Sequence, residues 1–383
     1  MLALGSFALC WWACLFSIDA SVYYPTSYAV LLQGAQPYQG SFGLPWPMWY
    51  RYPPLFLILF FPLSLLPFRV AAFAWALGKL TVLYTLVRTM LLRLEVRQDW
   101  RFWLPAAAVA APYWAMELRY GNAQFYVFAL TASALLVARQ RPILASGALG
   151  LGVALKVWPL FFVPFLALRG RRKAAAGALL VAVVLTLAPA AVFGWSQHVR
   201  WLGDWRAQES RISADSGAMW FPSQSVYGLM RRHLSEIDYA AMPDPNYPSI
   251  HWADLSPEAV RWIWLIASTA GCGLLFVGAA KAPPERDVEW AGLAFCALVL
   301  FQPFSQKQSA LVVLIWPAIV AAARARGPAR IALYAAGAAA TLQTPLAGET
   351  QRLLQVYGLD AAVIVLLAAA LLPAALSPSD APG

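Results

Sequence analysis

Four charged side chains stand in apolar surroundings, where a charge is costly unless it is hydrated or paired. Asp19 is the first charge of the chain and closes the stretch MLALGSFALCWWACLFSI. A hydrated carboxylate at the edge of an apolar segment can take a proton from a hydroxyl as a general base. The same position also suits a polar helix end touching headgroups. Lys156 lies in LGVALKVWPLFF. A lysine at the centre of a membrane helix costs about 2.5–3.5 kcal/mol on insertion scales. Either its stem snorkels to a nearby surface, or its ammonium meets an anion such as a phosphate on a lipid. Arg51, in YRYPPLFLILF, can grip a phosphate through two parallel hydrogen bonds. Lys79, in WALGKLTVLYTLV, is expected to pair with another helix.

Neutral groups near these charges could orient a polyhydroxylated ligand. Asn122 and Gln124 in LRYGNAQFY offer amides that suit sugar hydroxyls, and suit a helix N-terminus equally. Gln224 in WFPSQSVYGL adds an amide among aromatic faces, although Trp220 and Phe221 also fit an interfacial belt. Pro53 and Pro54 are well placed to start a helix, whose first N–H groups need no intrahelical partner.

The elements that must position these residues are membrane helices. The chain is 61% hydrophobic and only 12% charged, with a mean hydropathy of +0.60. A soluble domain carries roughly 25% charge. Unbroken apolar runs recur at 1–18, 54–67, 70–92, 102–118, 123–138, 142–156, 158–168, 174–194, 260–280, 288–302, 308–323, 330–346 and 354–374. This pattern predicts an all-α, polytopic integral membrane protein. Run 54–67 carries Pro62 and Pro67 and is too short to cross, so it reads as an interfacial helix. With that run outside, the clusters at Arg88–Arg101, Arg139–Arg141, Arg169–Lys173, Lys281–Arg286 and Arg324–Arg330 fall on one side. The positive-inside rule then makes that side cytoplasmic and gives about 12 transmembrane helices with both ends inside. One domain, 1–375, is expected, with outer loops at 19–69 and 195–259 and a disordered tail at 376–383.

Several classes are excluded. The net charge of +10 comes from short basic clusters between apolar runs, which is topology rather than nucleic-acid binding. Cys10, Cys14, Cys272 and Cys296 all lie in apolar segments, and the three histidines are scattered, so no metal spacing exists. A signal peptide is not expected, because the basic n-region is missing. Walker, GxSxG and HExxH motifs are absent, as is a literal DxD, which disfavours a nucleotide-sugar donor.

In order along the chain, these pieces resemble glycosyltransferase family 87, whose members are similar to polyprenol-phosphate-mannose-dependent mannosyltransferases of the GT-C fold. The resemblance runs over about residues 15–320. It begins in DASVYYPTSYAVLLQGAQPY, through Asp19, Tyr23, Gly34, Pro37 and Tyr38. It continues through YRYPPLFLILFFPLSLLPF, the most specific stretch, through YGNAQFYVFAL, and through ALGLGVALKVWPLFFVPFLAL with Lys156 and Pro159. In PSQSVYGLMRRHL, Ser223 stands where the family has Asn. One departure is FQPFSQKQSALVVLIW, which keeps Pro303 and Ser305 but has Lys307 and lacks the family's His pair.

The resemblance implies a GT-C-like fold with interfacial helices in the first outer loop, in a bacterial inner membrane with its active site facing outward. It implies a hexosyltransferase of the cell envelope that moves a hexose, mannose above all. The donor would be a sugar on a polyprenyl phosphate and the acceptor a glycolipid or glycan, with membrane lipids around it and no cofactor or metal. Asp19 would be the catalytic base of an inverting displacement. Lys156 and Arg51 would hold the donor phosphate, and Tyr23, Tyr38, Tyr52, Asn122, Gln124, Gln224 and Lys307 would contact sugar or acceptor. A GT-C transferase for glucose, arabinose or an amino-sugar, and a glycolipid transporter or binding protein, are the alternatives.

Overall fold

The computed structural model describes residues 2–39, 48–96, 99–213, 222–238, 248–303, 311–342 and 348–377. All the helices and strands found among them are helices, so the protein is all-α. The chain divides into two compact units. The first comprises Met1–Arg93 with Ala115–Arg211, and the second Leu94–Trp114 with Ile212–Gly383.

The first unit opens with α1 (Leu2–Phe16) and α2 (Ala20–Gln33), bent by 67° at the break between them. Ser17 sits in that break with φ +33°, a left-handed value that side chains seldom adopt. Gly34, at φ +70°, ends α2. Pro54 opens α3 (Pro54–Ser64), whose 11 residues reach only about 16 Å. Then follow α4 (Phe68–Leu94), the end of α5 (Trp100–Tyr120) from Ala115 on, its earlier part belonging to the second unit, α6 (Gln124–Val137) and α7 (Pro142–Leu155). Lys156 is extended and ends α7. A 3-10 turn leads into α8 (Phe162–Leu168), and α9 (Arg172–Leu187), α10 (Ala190–Phe193) and α11 (Trp195–Ser213) complete the unit.

Two kinds of packing hold this unit. Between α7 and α9 the backbones approach closely, because a Cβ on Gly150 would fall 2.7 Å from the Ala178 carbonyl and 2.6 Å from Val181. Elsewhere the core is aromatic. Tyr23 sets its ring edge-on to Tyr52, Phe56 and Phe60 at 5.2, 5.0 and 5.6 Å. Such pairs add about 0.5–1.5 kcal/mol beyond their area.

In the second unit, α12 (Val226–Leu234), α13 (Pro257–Lys281), α14 (Asp287–Phe301), α15 (Ile315–Arg324), α16 (Pro328–Thr341), α17 (Gly348–Val356) and α18 (Leu359–Leu376) follow in order. α14 is buried over nearly its whole length, and Trp290 on it donates to the Ala375 carbonyl at 3.1 Å. Tyr113 and Gln355 both donate to the buried Asp360 carboxylate, at 2.9 and 3.0 Å.

By length and composition, four helical stretches among the described residues can cross a membrane: Phe68–Leu94, Arg172–Phe193, Pro257–Lys281 and Leu359–Leu376. The bent α1–α2 pair makes a fifth if it is one span. Pro54–Ser64, Gln124–Val137, Pro142–Leu155, Trp158–Leu168 and Leu311–Arg324 are apolar but shorter. Fourteen residues, as in α6 and α7, reach about 21 Å against a core of about 30 Å. The exposed side chains of α9 and α13 include Leu180, Val183, Trp262, Ile266 and Leu274, a surface suited to hydrocarbon. Most of the expected tail, 378–383, lies outside the described residues, and Leu376 itself is the last residue of α18.

Candidate active site

The site lies wholly in the first unit and is built around the turn between α5 and α6. Gly121 makes that turn with φ +66°, and a Cβ there would stand 3.3 Å from Ala20 and 3.4 Å from Ser17. The α1–α2 break is therefore pressed against the turn. The Asp19 N–H donates to the Tyr120 carbonyl at 2.7 Å, which fixes the backbone that carries the carboxylate.

Asn122 then sets the carboxylate. Its Oδ1 accepts from the Gln124 N–H at 2.8 Å and from the Tyr52 hydroxyl at 2.9 Å. Those two bonds use the acceptor end of the amide, so the donor end faces Asp19. Nδ2 donates to Asp19 Oδ2 at 2.7 Å. Asp19 Oδ1 makes no hydrogen bond among the described residues. Asn122 thus bonds the backbone at the start of α6, close to the helix-end role its sequence position suggests, and also reaches across to the acid.

Lys156 also meets Tyr52, at its ring. Its Nζ stands over the Tyr52 ring, 5.0 Å from the centroid. No hydrogen bond or ion pair satisfies this ammonium among the described residues. Asp19 and Lys156, 137 positions apart, are thus joined through only Asn122 and Tyr52. Asp19, Asn122, Arg51 and Lys156 are each half-buried, and Tyr52 is buried.

One face of α11 fastens both Arg51 and the stretch that follows α2. Trp201 donates to Gln36 Oε1 at 2.7 Å, and Trp205 to the Arg51 carbonyl at 3.1 Å. Glu209 reaches the Arg51 Nε at 3.7 Å. Residues 201, 205 and 209 recur every four positions and so share a helix face. Sequence reading had placed them in an outer loop. The Tyr38 hydroxyl donates to the Tyr52 carbonyl at 2.8 Å.

Burial raises the Asp19 carboxyl above its ordinary range. The Asn122 donor, and then the positive charges of Lys79, Lys156 and Arg51, pull it back down. The result is a carboxylate more basic than a free one. Burial also pushes the Tyr52 phenol upward, so it stays protonated and remains a donor to Asn122.

Of the other residues expected to contact a ligand, Tyr23 and Tyr38 lie in the aromatic core, and Gln124 is buried at the start of α6. Gln224 belongs to the second unit, buried, with Nε2 donating to the Gln355 carbonyl at 2.7 Å. Lys307 and Ser305 lie outside the described residues, while the Pro303 carbonyl accepts from Ser225 at 3.0 Å. Lys79 pairs with a second helix as expected: its Nζ is 2.7 Å from Glu117 Oε1 on α5. Glu117 was missed in the sequence. No group of three His, Cys, Asp or Glu side chains is placed to hold a metal among the described residues.

A carboxylate with one oxygen held and an ammonium with no ion pair among the described residues can accept a proton at one end of a reaction and stabilise an anion at the other. Residues 49–303, about two thirds of the chain, match the sequence profile of glycosyltransferase family 87. The chain belongs to that family. The matched span of this family 87 protein includes Arg51, Tyr52, Asn122 and Lys156, and Asp19 lies ahead of it. Two relatives come from Mycolicibacterium smegmatis. One, a polyprenol-phosphate-mannose-dependent alpha-(1-2)-phosphatidylinositol mannoside mannosyltransferase, is 28% identical over 334 residues, 80% of this chain and 69% of the relative. The other, a polyprenol-phosphate-mannose-dependent alpha-(1-2)-phosphatidylinositol pentamannoside mannosyltransferase, is 50% identical over 42 residues. That match covers 11% of this chain and only 10% of the relative's length. No solved structure matches the chain.

Proposed function

We propose that this family 87 protein transfers a hexose, mannose first among the candidates, from a polyprenyl-phosphate donor to a lipid or glycan acceptor. The observation that carries this reading is the linking, through Asn122 and Tyr52, of a carboxylate and an ammonium, neither of them fully satisfied among the described residues. Asp19 Oδ1 takes the proton of the acceptor hydroxyl as that oxygen attacks the anomeric carbon. The bond from that carbon to the phosphate oxygen breaks, and polyprenyl phosphate leaves with the electron pair. Lys156, helped by Arg51, neutralises the charge that develops there. A single direct displacement inverts the anomeric centre, and because phosphate leaves as a stable anion, the second carboxylate that protonates the leaving group in glycoside hydrolases is not required.

The donor's lipid tail demands a site open to the bilayer. The reading therefore places about 12 spans in a bacterial inner membrane, with Asp19 on the non-cytoplasmic face. Names of both relatives contain polyprenol-phosphate mannose, which supports the donor class.

The test is Asp19→Asn in membranes supplied with labelled polyprenyl-phosphate mannose. Loss of a general base lowers the rate by about 10²–10⁴. Transfer at a near-native rate removes Asp19 from the role.

A further inference from the structure

Beneath the Asp19 turn lies a buried ion pair that the mechanism does not use. Lys79 on α4 and Glu117 on α5 are both fully buried, with Nζ and Oε1 2.7 Å apart. A buried pair of this kind is weak support for stability, because desolvation offsets most of the attraction. Its connections to the turn are more informative.

Glu117 ties the end of one helix to the start of the next. Its carbonyl accepts from the Gly121 N–H at 3.1 Å, and its Oε1 accepts from the Phe125 N–H, in the first turn of α6, at 3.2 Å. Lys79 Nζ donates to that same carbonyl at 3.1 Å and to Oε1. Trp75, one helical turn before Lys79, donates to the Gly121 carbonyl at 2.9 Å. One face of α4 thus holds the turn at Glu117 and at Gly121, and Glu117 in turn holds the start of α6. That turn supplies the two groups that orient Asp19: the Tyr120 carbonyl and the Asn122 amide.

We infer that Lys79 and Glu117 are positioning residues for the base, acting through the 117–125 turn on the Asn122–Asp19 hydrogen bond. This inference rests on the proposed role of Asp19. A small shift of the turn moves the Asn122 amide off the carboxylate without touching the side chains that face the donor phosphate.

The test compares Lys79→Met/Glu117→Leu with Lys79→Met/Glu117→Gln in full-length protein, using labelled polyprenyl-phosphate mannose. The first variant removes both the charges and the oxygen that holds Phe125. The second keeps a neutral oxygen for that N–H. The expected order of kcat is wild type, then the Met/Gln variant, then the Met/Leu variant. The Met/Leu loss should be roughly 10- to 100-fold, as for a misplaced catalytic group. The KM for the donor should not move, and in an Asp19→Asn background the Met/Leu change should cost nothing further. A folded Met/Leu variant with native kcat overturns the inference. So does an equal fractional loss with and without Asp19, which marks the pair as merely structural. If the Met/Leu variant fails gel filtration, the Met/Gln variant carries the same comparison, and native kcat there is equally fatal. Native activity in Asp19→Asn alone is a different result: it removes the base, not the clamp.

Discussion

Asn122→Asp is the sharpest perturbation of the site, because it changes one group at constant shape. Oδ1 stays in place to accept from the Gln124 N–H and the Tyr52 hydroxyl, so the turn keeps its local bonds. The other end changes from a donor to a carboxylate oxygen, 2.7 Å from Asp19 Oδ2. Two effects act in different pH ranges. Near neutral pH the two carboxylates in contact resist ionising together, so the pair holds a bridging proton and one apparent pKa rises strongly. Once both are ionised, the hydrogen bond to a charged acceptor is lost, worth about 1.5–3 kcal/mol. At about 1.36 kcal/mol per tenfold, that is roughly a 10- to 150-fold loss of rate, if the bond persists in the transition state. Asn122→Ala loses this bond together with both bonds to Oδ1.

The sign follows from the role. A general base works only when deprotonated, and Asp19 is already raised by burial. A further rise confines activity to higher pH. The Asn122→Asp enzyme should therefore be slow at neutral pH and recover part of its rate as pH increases. Asn122→Ala, which loses a donor that lowers the Asp19 carboxyl, should shift in the same direction by less. The assay is initial rates of label transfer across the pH range in which the wild-type enzyme is stable. A wild-type profile and a near-native rate in Asn122→Asp would show that Asn122 does not orient a base, and the proton-transfer assignment would fall with it.

Lys156→Gln should lower kcat by about 10²–10³, the usual cost of losing one donor to a developing anion. Lys156→Arg should restore part of it, and free polyprenyl phosphate should inhibit the Gln variant more weakly than the wild type. Gly121→Ala should lower stability by about 1–2 kcal/mol, since the residue is left-handed at φ +66°. It should also slow transfer by pushing Ser17 and Ala20 away from the turn, read as a lower Tm in detergent together with a reduced kcat.

The charged residues were legible in the sequence because an ionisable group in an apolar run demands a reason. That logic selected Asp19 and Lys156 and expected a partner helix for Lys79. It passed over Glu117, which closes an apolar run and looks like an ordinary span end. Hydropathy also found the apolar runs, but run length is not helix length. The run 54–67 is helical only to Ser64, and the run 142–156 stops at Leu155, where Lys156 turns extended. The polarity of the 195–259 stretch hid α11, although Trp201, Trp205 and Glu209 carry a four-residue period. Tyr23 and Tyr38 were expected at the ligand through the family resemblance, but their burial depends on long-range packing that no local pattern reports.

The choice between a headgroup anchor and a base at Asp19 illustrates the boundary. Either role calls for an acid at the edge of an apolar helix, so residue type and position are silent between them. What separates the two is how the carboxylate's oxygens are used. An anchor gains by offering both to water and headgroups. A base gains by having one oxygen locked and the other open, because orientation must be settled before the proton arrives. In this protein the lock comes from residue 122, steadied by residue 52, with residue 156 over the same ring. No local pattern could have joined those positions, and the kinetic effects expected at residues 121 and 122 follow from disturbing that lock.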